Sequence, residues 1–93
     1  VELRDKLANK EFQAGEFYFK RNAFDSAIIY YEATVRDYPE SALAPRALLR
    51  LLDTYQVIGY KEEADATRAR LLKDYPQSPE ALGLQQVPAA AQP

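Results

Sequence analysis

The side chains in this sequence that can move a proton or hold a charge are aspartate, glutamate, lysine, arginine and tyrosine; histidine and cysteine are both absent. That removes the imidazole of most hydrolytic triads and the ligands of most zinc sites. It also removes disulfides and thiolates, without fixing a redox compartment. The remaining acids and bases are scattered, with no base set beside a nucleophile. The densest acids are Glu62, Glu63 and Asp65. Neighbouring residues diverge around a helix and no further ligand is near in sequence, so they read as the acidic first turn that a helix dipole favours. Lys20 and Arg21 form a small basic pair at a helix end, suited to a partner's acids or to the same dipole. No enzyme activity, cofactor or metal is expected; binding is.

Bulk properties agree. A chain of 93 residues, 47% hydrophobic and 28% charged, has room for one small globular domain. A net charge of −2 gives no reason to expect nucleic acid. No apolar run approaches the roughly 20 residues needed to cross a bilayer. The chain starts at Val1, mid-pattern, and reads as a fragment or processed form, so missing targeting signals carry little weight.

The frame for these side chains is helical. A first helix is expected over Glu2 to Arg21, with Leu3, Leu7, Ala14, Gly15 and Tyr18 at helical spacing and Ala8, Phe12 and Phe19 on a neighbouring stripe. Asn22, which tolerates left-handed backbone, breaks it. A second helix spans Phe24 to Tyr38 on the stripe Phe24, Ala27, Ile28, Tyr31, Val35 and Tyr38, and ends before Pro39. Ser41 caps a third, over Ala42 to Ile58, with Pro45 near its start and Gly59 as its stop. A fourth runs Lys61 to Tyr75 and ends at Pro76. Ser78-Pro79-Glu80 starts a stub that fades after Leu82. Residues 83–93, rich in Ala, Gln and Pro, are expected to be disordered.

One pattern occurs twice. Asp37-Tyr38-Pro39-Glu40-Ser41 returns as Asp74-Tyr75-Pro76-Gln77-Ser78, and the same shift carries Tyr18 onto Tyr55 and Ala27 onto Ala64. Internal periods of this size mark stacked helical repeats that bind other proteins. With Pro39 and Pro76 at the closing proline of a tetratricopeptide repeat, Gly15, Tyr18, Ala27 and Tyr31 fall on the first copy's marks. Leu48, Leu51, Tyr55, Ala64 and Leu71 fall on the second's, and Arg68 departs where an aromatic is usual. The expected fold is all-α: two tetratricopeptide helix-turn-helix repeats of an α-solenoid plus a short capping helix, over residues 1–82. Ala27 and Ala64 lie where helices cross closely, so a larger side chain would overpack by roughly 1–3 kcal/mol. Two repeats barely bury a continuous core, which predicts that the first helix needs an upstream repeat or a partner to cover it.

The repeat register points Asn9, Phe12, Glu16, Phe19 and Lys20 into the concave groove from the first copy, and Arg46, Leu49, Asp53, Gln56 and Val57 from the second. The groove suits an extended peptide or a partner's edge; equally, Phe12 and Phe19 could pack on an upstream repeat. Glu16 and Asp53, at its centre, would repel a carboxylate. Ile29, Tyr30 and Ala33 fall off the core stripe and form either an outward patch or a face packed on the first or third helix, and Phe17 is a similar case.

A closer resemblance rests on Lys10-Glu11-Phe12, on Phe17-Tyr18-Phe19-Lys20-Arg21-Asn22-Ala23-Phe24, on Ala27-Ile28 and on the two Tyr-Pro pentapeptides, continued by Gly59-Tyr60-Lys61-Glu62-Glu63-Ala64. Over about Val1 to Ala81 the chain resembles the C-terminal repeats of the BamD family, tetratricopeptide lipoproteins of the bacterial outer-membrane β-barrel assembly machine. Many members have Gly where Asn22 stands, and often a basic residue at Tyr30. The resemblance implies a scaffold on the periplasmic face of the outer membrane, held by a lipidated cysteine outside this segment. It implies docking on the periplasmic domain of the barrel subunit BamA nearest its barrel, with the machine's other lipoproteins as further expected partners. Phe12, Glu16, Phe19, Lys20, Arg21, Tyr30, Arg46, Leu49 and Asp53 are the expected partner-binding residues. Gly15, Tyr18, Ala27, Tyr31, Pro39, Tyr55, Ala64 and Pro76 are the expected repeat-packing residues. The rival reading is a generic periplasmic or cytosolic adaptor of the same repeat type, such as a cell-envelope coordinator.

Overall fold

The computed structural model describes residues 2–86. It holds five helices: α1 (Glu2–Lys20), α2 (Phe24–Asp37), α3 (Leu43–Ile58), α4 (Lys61–Asp74) and α5 (Pro79–Gln86). Among the described residues there is no strand. α1 packs on α2 and α3 on α4 as two hairpins; α2 packs on α3 to join them, and α5 lies against α3 and α4. The fold is the all-α pair of tetratricopeptide-type repeats with a short last helix.

The turns repeat as faithfully as the sequence. α1 ends at Asn22, which takes φ 60, and α3 ends at Gly59, which takes φ 82. Both are left-handed stops. In each, the next amide bonds back five residues, Ala23 N to Tyr18 O at 2.9 Å and Tyr60 N to Tyr55 O at 2.8 Å. α2 and α4 both stop one residue before a Tyr-Pro pair, with Tyr38 and Tyr75 both at φ −132. Pro39 and Pro76, expected both to end their helices and to take part in repeat packing, are exposed; they stop the helices as expected and do not join the packing. Pro39 does contribute a carbonyl, which accepts the Tyr75 hydroxyl at 2.8 Å and links the two turns.

The core runs through both repeats: Phe12, Ala27, Tyr31, Val35, Ala47, Leu48, Leu51, Leu71 and Ala81. Tyr18 and Tyr55 pack on it half-buried. Ala27 is fully buried and Ala64 is 5% exposed, as a close helix crossing requires. Gly15 has the same origin: a Cβ there would come within 2.6 Å of the Tyr31 ring. The second repeat resolves the crowding the other way round. Leu52 stands at the position equivalent to Gly15 and is buried, and Arg68 stands at the position equivalent to Tyr31.

Two boundaries differ from expectation. Ser41 does accept the Leu43 amide at 3.1 Å, so α3 begins at Leu43 and not at Ala42. α5 continues to Gln86, past the Leu82 expected as its end. Ala81 is fully buried and Leu84 packs on the core, so burial carries the helix through Gly83. Of the tail expected to be disordered, residues 87–93 lie outside the described residues.

The two outer faces are unlike. On α1, Leu3 is 68% exposed, Leu7 40% and Phe17 48%. On α4 the exposed residues are Lys61, Glu62, Glu63, Asp65, Ala66, Ala69, Lys73 and Asp74.

Candidate functional site

Three helices bring charge together on the face lined by α1 and α3. Glu16 from α1 accepts the Tyr31 hydroxyl from α2. The same carboxylate oxygen accepts Arg50 Nε from α3 at 2.8 Å. Arg50 also donates through Nη1 to Asp53 Oδ2 at 3.2 Å, one turn along α3. Its guanidinium lies over the Phe19 ring, 4.2 Å from the centroid. A flat cation on a ring with two carboxylates at its edge is a fully engaged arginine.

The electrostatics follow from burial and from that arginine. Burial pushes the Glu16 carboxyl up, but the Tyr31 hydroxyl and Arg50 together outweigh it and hold the carboxyl below its ordinary value. Burial pushes the Asp53 carboxyl up, and Arg50 recovers only part of that. Burial and the hydrogen bond to Glu16 push the Tyr31 phenol far above its ordinary value. Glu16 is thus a committed carboxylate and Tyr31 a committed donor. Neither is poised for acid–base work near neutral pH. What the cluster can do is tie the first repeat to the second.

Of the expected groove residues, the structure brings Glu16, Phe19 and Asp53 together. Phe12 is not there; it is buried against Tyr31, with ring centroids 5.7 Å apart, and belongs to the core of its own hairpin. Leu49 is half-buried against the same core. Arg46 is exposed at a separate cleft between α3 and α5, lined also by Leu43, Pro45 and Glu80. Asn9, Lys20, Gln56 and Val57 are exposed. Arg50 is the residue that sequence reasoning missed. Its pairing with Asp53 at a three-residue spacing is a readable signal; its pairing with Glu16, across 34 residues, needs the fold.

A second surface lies where α1 meets α2. Arg21 covers the Phe17 ring at 3.6 Å and donates to the Phe17 carbonyl at 3.1 Å, so it satisfies its own helix end. Phe17 meets Tyr18 edge-on at 5.1 Å, and Tyr18 stacks on Tyr30 at 5.5 Å with 12° between planes. Tyr30 is therefore half-buried against the first helix, while Ala33 is buried and Ile29, 65% exposed, points outward. The patch of three expected residues is split, with one on each kind of surface.

Among the described residues, no group of three acids or other ligands stands where it could hold a metal ion. No helix among them is long and apolar enough to cross a membrane.

The sequence resembles known proteins over most of its length. The model of the family YfiO, described as an outer membrane lipoprotein, matches residues 1–71. The outer membrane protein assembly factor BamD of Caulobacter vibrioides is 34% identical over 74 residues, which is 80% of this chain and 24% of that protein. The protein of the same name from Rickettsia prowazekii is 33% identical over 76 residues, 82% of this chain and 30% of the relative. The chain thus spans less than a third of the length of either of these curated relatives.

Proposed function

Since the chain belongs to the YfiO family of outer membrane lipoproteins, we propose that it is the C-terminal repeat segment of a BamD-type assembly factor. In that role it is a non-enzymatic scaffold at the periplasmic face of the outer membrane that helps assemble β-barrel proteins. The observation that carries the reading is the family match across both repeats, together with the name of the two relatives.

The finer reading is docking on the periplasmic domain of the barrel subunit BamA nearest its barrel. The surface where α1 meets α2 supports it. That surface offers exposed Ile29 and Phe17, the Tyr18–Tyr30 stack, and the cations Lys20 and Arg21. Apolar and aromatic area gives affinity, and rim charge steers the encounter.

Calorimetry of the chain with the barrel subunit's periplasmic domains tests the reading. Binding is expected, and reversing Lys20 or Arg21 to glutamate should weaken it at low salt and less so at high salt. No heat up to high micromolar concentration overturns the docking reading. Binding that ignores both reversals returns these two residues to ordinary surface.

A further inference from the structure

We propose that the cleft between α3 and α5 receives a lysine side chain from an extended segment of a partner protein, with Glu80 Oε1 as the acceptor for its ammonium. The cleft holds about 380 Å³; Ala42, Leu43, Pro45 and Pro79 make its wall, and Arg46, Ser78 and Glu80 bring its polar groups. It is a separate place from the Glu16–Arg50–Asp53 cluster and from the surface where α1 meets α2.

Glu80 Oε1 is shut off from the surface and accepts no hydrogen bond, the one buried side-chain nitrogen or oxygen in that state among the described residues. The sequence explains why no donor reaches it. Two residues of the wall are prolines, which have no N–H to offer. The Ser78 hydroxyl is used twice: it donates to the Tyr75 carbonyl at 2.8 Å and accepts the Ala81 amide at 3.1 Å. The Leu43 amide already donates to Ser41 Oγ at 3.1 Å. Arg46 is exposed, and none of the ion pairs among the described residues includes either it or Glu80. A carboxylate oxygen hidden from water without a donor costs the fold stability, and an incoming donor gains by relieving it.

The chemistry of the cleft narrows the ligand. A carboxylate accepts, so the ligand must bring a donor, and a cation makes the stronger bond. A single buried oxygen suits a compact point charge; a guanidinium matches two oxygens side by side. Lysine also carries a methylene stem that can lie along Leu43, Pro45 and Pro79 while its ammonium goes deeper. Arg46 lacks an acid of its own, so an acidic residue next to that lysine in the segment would meet it. Lysine and acid together mirror the cleft's own acid and base.

The test uses the peptide acetyl-Ala-Lys-Glu-Ala-amide, whose ends carry no charge, and a second peptide with norleucine in place of the lysine. Norleucine keeps the apolar stem and drops the ammonium. Each is titrated into the chain while backbone amide signals are followed. The lysine peptide should move the amides of Leu43, Arg46 and Ala81, with a dissociation constant on the order of 1 mM. It should bind about tenfold tighter than the norleucine peptide. Glu80→Gln should bring the two peptides level, with circular dichroism confirming its fold. Arg46→Gln should weaken the lysine peptide only slightly and keep its advantage over norleucine. If Glu80→Gln unfolds, the comparison of the two peptides on the parent chain decides alone. The proposal fails if norleucine binds as well as lysine, if no amide moves up to about 10 mM, or if a folded Glu80→Gln variant binds like the parent. It fails equally if Arg46→Gln tightens the lysine peptide about tenfold, since Arg46 would then be the partner of Glu80.

Discussion

Gly15→Ala puts two effects of opposite sign against each other. Replacing a mid-helix glycine by alanine ordinarily stabilises a helix by up to about 1 kcal/mol. Here the new Cβ would sit 2.6 Å from Tyr31 Cε1 and 2.7 Å from Cδ1. That is roughly 1 Å closer than carbon atoms pack. The ring has little freedom to yield. It is fully buried, its hydroxyl is bound by Glu16, and the Phe12 ring lies beside it. Overpacking of this kind costs about 1–3 kcal/mol. Subtracting the full propensity gain leaves a net loss of up to about 2 kcal/mol, so the overpacking outweighs it. In a domain of this size that lowers the melting temperature by up to roughly 15 °C. The assay is thermal and urea unfolding followed by far-ultraviolet circular dichroism, with Gly83→Ala as control. A Cβ at Gly83 meets nothing within 4 Å, so only the favourable propensity term acts there. Should Gly15→Ala match Gly83→Ala in raising stability, the pressure of Tyr31 on α1 is refuted. Relief of the Gly15→Ala loss by Tyr31→Leu in the same chain would support it.

Other outcomes follow from the same contacts. A double-mutant cycle of Glu16→Gln and Arg50→Gln should give a coupling of about 1 kcal/mol in urea unfolding, since both side chains are only about a quarter exposed; a coupling near zero would show that the pair does not tie the repeats. Acid and alkali should each destabilise the chain. Glu16, held below its ordinary value near 4.5, contributes stability that is lost as pH falls through its folded value, and Asp53, pushed up, offsets part of this. Tyr31, pushed up, stabilises the fold below its ordinary value of 10.0 and loses that contribution as pH rises beyond it; pH-dependent melting of Tyr31→Phe should be flatter above pH 10. At the two left-handed stops, Asn22→Gly should gain a few tenths to about 1 kcal/mol and Gly59→Ala should lose about 1–2 kcal/mol, read by the same melts. Hydrogen exchange should find the first turns of α1 opening before the centre of α3, because Leu3 and Leu7 are exposed while Leu48 and Leu51 are fully buried.

The turns and the core alanines were legible because they depend on local backbone chemistry and on a repeated spacing. Asn22, Gly59, Pro39 and Pro76 each act on their own neighbours, and a 37-residue shift exposes the rest. The side-chain partnerships were less legible. Phe12 sits on a stripe beside the core stripe, and only the crossing angle of α1 on α2 decides that it turns inward to Tyr31. Arg50 sits between core and groove positions, so its value depends on Glu16 being within reach from another repeat. Gly83 suggests a helix stop when read alone; Leu84, one residue later, shows that apolar burial can overrule it. Arg68 was visible as a departure from pattern, but its compensation by Leu52 appears only when the two hairpins are laid over each other.

The contrast between the bare leucines of α1 and the salted flank of α4 gives the stack a direction of growth. A further hairpin grafted ahead of α1 would land on an oily bed and gain by covering it. One grafted beside α4 would have to strip water from lysines and glutamates first. The same module therefore offers an apolar landing on α1 and a charged one on the flank of α4.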